Sequence, residues 1–129
     1  MRITLPHDYR PTETEPFMNP LQQEYFRLKL LRWRDQLVRE SNETLDHLQT
    51  ESLNEPDVTD RATLESERAL ELRTRDRARK LISKINDALK RIEDGSYGFC
   101  EETQESIGIR PLEVRPIATV SIEAQERQE

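Results

Sequence analysis

Phe26, Leu30, Trp33, Leu37, Ser41, Thr44 and Leu48 follow one another at steps of three and four residues. That spacing puts them on one face of a single long helix, the seam of a coiled coil. A second seam, clear only late in its segment, runs Ala78, Leu81, Ile85, Ala88, Ile92. Between them lies SLNEPDVTDRA (residues 52–62), where Pro56 biases Glu55 away from helical dihedrals and Asp57, Thr59 and Asp60 are helix-capping types. Upstream, Asn19 can cap and Pro20 suits the first helical position, with Phe17 or Met18 free to staple against the first turn. Downstream, DGSYG (residues 94–98) stops the second helix, with Gly95 as its left-handed cap. Two helices of roughly 33 residues, each roughly 50 Å long, joined by so short a loop must lie antiparallel. The expected shape is a rod with a tip at residues 55–62.

Composition supports an elongated form. Hydrophobic residues are 33% of the chain and charged residues 36%, against about 45–50% and 25% in ordinary globular domains. So thin an apolar supply suits a long, solvated helical structure better than a compact globule. The formal net charge of −6 argues against sequence-independent nucleic-acid binding by phosphate neutralisation. The single cysteine excludes an internal disulfide and fits a reducing compartment. No apolar run reaches the roughly 20 residues of a membrane span, and no secretory leader is recognisable. The expectation is a soluble, cytoplasmic protein.

Three segments follow. Residues 1–17 form an N-terminal arm; the first 16, with three prolines and no helical period, read as an arm or a mobile tail. Residues 18–94 form the coiled coil, and residues 95–129 a small globular part. In the last, Ile107, Ile109, Leu112, Val114, Ile117, Val120 and Ile122 alternate with polar residues and prolines, which predicts short extended pieces. SIEAQERQE (residues 121–129) can add a final helical turn or two.

The tip has two readings. Asp57 and Asp60 can cap the second helix and favour its dipole. Two acidic groups and a small residue, Ala62, at the end of a rod also make a probe that can offer charge inside a narrow recess. ELRTRDRARK (residues 71–80) concentrates Arg73, Arg75, Arg77, Arg79 and Lys80. It reads either as a solvated surface with i,i+4 pairs such as Glu71–Arg75, or as a contact for an anion or an acidic protein. His7 and His47 stand without a ligand or catalytic partner at a recognisable spacing. No phosphate-cradling glycine loop, nucleophile elbow or Ser/His/Asp arrangement is present, so an enzyme is not expected.

The stretch YGFCEETQESIGIRPLEVRPIATVSIEA (residues 97–124) has the punctuation of a small zinc finger. The four ligand positions, however, hold Cys100, Thr103, Ser121 and Ala124. A structural zinc needs four thiolate or imidazole donors, and Cys100 supplies one. Cys100 is expected to be a small buried packing residue, and no metal is expected.

Taken in order, DVTDRA (57–62), LELRTRDRARKLISKI (70–85), IEDGSYGFC (92–100) and IGIRPLEVRP (107–116) resemble successive segments of the DksA family of transcription factors. The likeness covers about residues 18–124, with tip, basic helix and finger frame at matching separations. It implies a mainly α fold: a long antiparallel two-helix coiled coil with a small, degenerate zinc-finger-like domain at its base. It also implies direct binding to RNA polymerase at the beta prime rim, with the coiled coil in the secondary channel. Such a factor modulates initiation with the alarmone ppGpp, as in the stringent response, without sequence-specific DNA contact, and acts as a monomer. By position, Asp57, Asp60 and Ala62 would be the tip effectors, and Arg77, Leu81, Lys84 and Arg115 the ppGpp and rim residues. A basic residue of the family's final helix is replaced by Gln125. The missing zinc tetrad resembles that of the zinc-independent, cysteine-poor members of the family. The alternative is a structural or adaptor coiled coil, for which the tip signature would have no use.

Overall fold

The computed structural model describes residues 4–52, 58–121 and 124–125, with side chains described at 4–43, 61–121, 124 and 125. It is mainly helical: α1 spans Pro20–Ser52, α2 Val58–Asp94 and α3 Ile109–Val114. The break expected around Pro56 and Asp57 lies outside the described residues; α2 has begun by Val58, so Thr59 and Asp60 fall within its first turn. The chain divides into two units. A terminal unit comprises Met1–Arg32 and Lys84–Glu129, and a helix-pair unit comprises Trp33–Ser83.

In the terminal unit, α1 starts where its capping residues require. Asn19 Oδ1 accepts a hydrogen bond from the Gln22 N–H at 2.8 Å, relieving one orphan donor of the first turn. Gln22 then works backwards. Its fully buried amide accepts from the Met18 N–H at 2.7 Å and donates to the Thr12 carbonyl at 3.2 Å and Glu15 Oε2 at 3.1 Å. Tyr9 donates to the same carboxylate oxygen at 2.9 Å. The described part of the N-terminal segment is therefore tied to the first turns of α1, where the sequence suggested an arm or mobile tail. Hydrogen bonds from Gln22 and Tyr9 hold the Glu15 carboxyl below its usual range. Burial, then the neighbouring Glu15, pushes the Tyr9 phenol up to about 12.

At the other end Gly95, at φ 87°, closes α2 as expected, and the Arg91 carbonyl accepts from the N–H groups of Ser96 and Tyr97. Phe26, Leu30, Ile85 and Leu112 are fully buried, with Ala88 and Tyr97 almost so. Phe26 and Tyr97 rings lie 5.8 Å apart, and the Tyr97 hydroxyl donates to the Pro116 carbonyl at 2.9 Å. Gly98 is needed where it stands: at φ 90°, an added Cβ would come within 3.1 Å of the Phe17 ring.

The finger region departs from expectation. Among the described residues its only β pairing is an isolated bridge between Phe99 and Ser106, and Ile109–Val114 is helical rather than extended. Ile109 and Leu112, three apart, are the pair that α3 buries, while Val114 is 86% exposed. Pro111 is tolerated there because the first turn of a helix needs no intrahelical donor. The sequence spacing suggests a period of two, whereas Ile109 and Leu112 follow the helical step.

The helix-pair unit is sparser. Among its described side chains only Leu37 and Ala78 count as buried hydrophobics, whereas Leu70 and Leu72 are exposed. The Val38–Asn42 stretch of α1 and the Arg75–Ile82 stretch of α2 line a common cleft, as an antiparallel pair requires.

Candidate functional site

Within the terminal unit a cavity of about 390 Å3 opens between the last turns of α2 and the chain after α3. Lys84, Asp87 and Arg91 reach it from one face of α2, at steps of three and four. Glu101 enters from the finger turn, Arg115 from just after α3, and Gln125 from the last described turn. Arg91 Nη2 lies 3.0 Å from Glu101 Oε1. The Glu101 N–H donates to the Thr119 carbonyl at 2.8 Å, so its backbone is fixed against the cavity wall. Three cations face two carboxylates, a small positive excess in a concave, partly screened setting suited to an anion.

Of the residues singled out from sequence, Lys84, Arg115 and Gln125 come together here. Arg77 and Leu81 belong to the helix-pair unit, Arg77 exposed and Leu81 half-buried. Asp87, Arg91 and Glu101 were missed. The α2 pair could have been found from its i, i+3, i+7 spacing with Lys84, but Glu101 meets them only through the turn at Gly95.

Asp57 lies outside the described residues, and the Asp60 side chain outside the described side chains. Ala62 is exposed, and its carbonyl accepts from the Ser66 hydroxyl at 3.2 Å. Arg73, Arg75, Arg77, Arg79 and Lys80 are all exposed; Arg79 pairs with Asp76 at 3.3 Å, a solvated contact of small energetic weight. His7 is exposed, and the His47 side chain lies outside the described side chains.

The four finger positions do not fit a metal. The Thr103 hydroxyl accepts from the Glu105 N–H at 3.3 Å, the Ser121 hydroxyl from the Ala124 N–H at 3.2 Å, and Ala124 is fully buried without a donor atom. Among the described residues no three His, Cys, Asp or Glu side chains are grouped to hold a metal ion. Cys100 is buried, as expected of a packing residue. The Thr103 hydroxyl, with the amides of Ser121, Thr103 and Glu102, nevertheless holds its thiol down from 9.0 to about 6, against the opposing effect of burial. Among the described residues no helix is long and apolar enough to cross a membrane.

Comparison with known proteins agrees across most of the chain. The family model for the N-terminal domain of DnaK suppressor protein DksA matches residues 22–92. The RNA polymerase-binding transcription factor DksA of Caulobacter vibrioides is 65% identical over 122 residues, covering 95% of this chain and 86% of the relative. The protein of the same name from Escherichia coli is 47% identical over 117 residues, covering 91% and 78%. The solved structure of transcription factor DksA2 from Pseudomonas aeruginosa superposes with a TM-score of 0.82 at 41% identity, covering 87% of this chain and 86% of that one. Its two long helices, the family-model match and 65% identity over 95% of the chain place this chain in the DksA family.

Proposed function

We propose that this protein binds RNA polymerase and regulates transcription, acting as a monomer in the cytoplasm and as a regulator, not a catalyst. The observation that carries the reading is 65% identity, over a stretch covering 95% of the chain, with a relative named for RNA polymerase binding. In this reading the coiled coil enters the polymerase secondary channel and meets the beta prime rim. Asp57, Asp60 and Ala62 act near the active centre, altering initiation at sensitive promoters such as those of ribosomal RNA. The effector is ppGpp, bound where the polymerase meets the protein, with Arg77, Leu81, Lys84 and Arg115 as its contacts. Support for that site comes from the convergence of Lys84 and Arg115 on one cavity, since guanidinium and ammonium groups are the usual partners of phosphate oxygens.

The finger region folds without zinc in this reading. Hydrogen bonds inside the turn and the apolar contacts of Tyr97, Ile109, Leu112 and Ala124 replace the metal. Binding to core polymerase, followed by in vitro transcription from a ribosomal-RNA-type promoter with and without ppGpp, tests the whole. The expected result is stoichiometric co-purification and inhibition that deepens with ppGpp. A protein that neither co-purifies nor alters transcription would contradict it. Elemental analysis should find no zinc, and EDTA should leave the melting temperature unchanged; one equivalent of zinc, lost together with helicity on chelation, would contradict the metal-free fold.

A further inference from the structure

We infer that Glu101 is a built-in competitor for the anion site: its carboxylate occupies Arg91, and a polyphosphorylated nucleotide binds by taking Arg91 from it. The inference rests on the reading of the cavity as the ppGpp contact. Arg91 Nη2 and Glu101 Oε1 are 3.0 Å apart, and the two side chains differ in freedom. That of Arg91 is 23% exposed and that of Glu101 57%. The Glu101 backbone is held by its hydrogen bond to the Thr119 carbonyl, so release of Arg91 needs only a side-chain rotation into solvent. The guanidinium stays in the cavity beside Lys84 and Arg115. Its planar fork can then donate to two phosphate oxygens side by side, as an ammonium cannot.

Charge points the same way. With Glu101 turned in, the cavity presents Lys84, Arg91 and Arg115 against Asp87 and Glu101; with Glu101 turned out, three cations face one carboxylate. Gln125, on the same wall, offers a phosphate only a neutral amide donor. Arg91 is the cation that can stand in for the missing charge, and Glu101 sets how readily it does so. A monovalent anion gains too little to displace the carboxylate, so the pair selects for ligands with several phosphate charges.

The test is a ppGpp titration of transcription inhibition, using RNA polymerase with the full-length protein and its variants. Glu101→Gln should lower the half-maximal ppGpp concentration by roughly two- to fivefold, the range for a partly exposed charge. Arg91→Gln should raise it at least as far, and Arg91→Lys, which keeps charge but loses the fork, should fall between. In the Arg91→Gln background the gain from Glu101→Gln should disappear, which a merely structural ion pair or a general field effect would not produce. Circular dichroism melts of each variant separate these shifts from unfolding. A wild-type response to ppGpp that Glu101→Gln leaves unchanged or weakens would overturn this inference alone. No response in either wild type or Glu101→Gln would overturn the ppGpp site and this inference with it. A response found only in Glu101→Gln would uphold competition by Glu101 and contradict ppGpp as the effector of the wild-type protein.

Discussion

The two units are built from the same two helices and held by different forces. In the terminal unit α1 and α2 bury Phe26, Leu30, Ile85 and Ala88 to 1% exposure or less, joined by Tyr97 and Leu112 from the finger region. In the helix-pair unit the same helices bury only Leu37 and Ala78, both 9% exposed, among the described hydrophobics, and present arginines and acids to solvent. Apolar burial is the main favourable term in folding, and among the described side chains most of it falls in the terminal unit. The described seam of the helix-pair unit is thin. If affinity for polymerase resides in the terminal unit, fold and binding are separable from the effect exerted at the tip.

The strongest way to break that contrast is to empty the core of each unit. Phe26→Ala should cost about 3–5 kcal/mol and unfold the terminal unit, whereas Leu37→Ala, at a site able to collapse, should cost about 2 kcal/mol. Thermal melts followed by circular dichroism would show it; equal losses would mean that the seam contributes as much as the core. A smaller effect is expected from Tyr97→Phe, which strands the buried Pro116 carbonyl and should cost about 1–3 kcal/mol by urea denaturation. A neutral result would show that the terminal unit relies on packing alone.

The subtlest contrast is electrostatic. Cys100 has a folded-state value of about 6 against an ordinary 9.0. A depressed acid contributes stability that is fully present above the unfolded value and is lost as pH falls through the folded one. The melting temperature of wild type should therefore rise from pH 6 to pH 9 more steeply than that of Cys100→Ser. Parallel curves would remove the thiolate from the balance of forces in the finger turn.

Much of this was legible from residues. Asn19-Pro20 and Gly95 mark helix ends through local backbone chemistry, which needs no tertiary context, and both act as their types require. The zinc-finger frame is a reading from spacing, and the proposal of a metal-free fold rests on the residues that fill it. What was not legible depended on contacts between segments without a period. Gln22 looked like one of two adjacent glutamines, yet it organises the N-terminal segment because only a buried amide can accept from Met18 and donate to Thr12 and Glu15 together. The short α3 was hidden because Ile107, Ile109 and Leu112 satisfy a loose alternation as well as a helical step. Arg91–Glu101 forms across the turn at Gly95, so neither residue advertises the other. The roles of Asp57 and Asp60 at the tip rest on the family resemblance, and both side chains lie outside the described ones.

Separation of binding from effect is tested most directly by Asp60→Asn, measured in two assays side by side: competition for core RNA polymerase, and in vitro transcription from a ribosomal-RNA-type promoter. The variant keeps the size and hydrogen-bonding capacity of the side chain and removes its charge. The expected result is undiminished competition for polymerase together with loss of the effect on transcription. Full transcriptional activity, or a parallel loss of binding and activity, would contradict the division of labour between the two units.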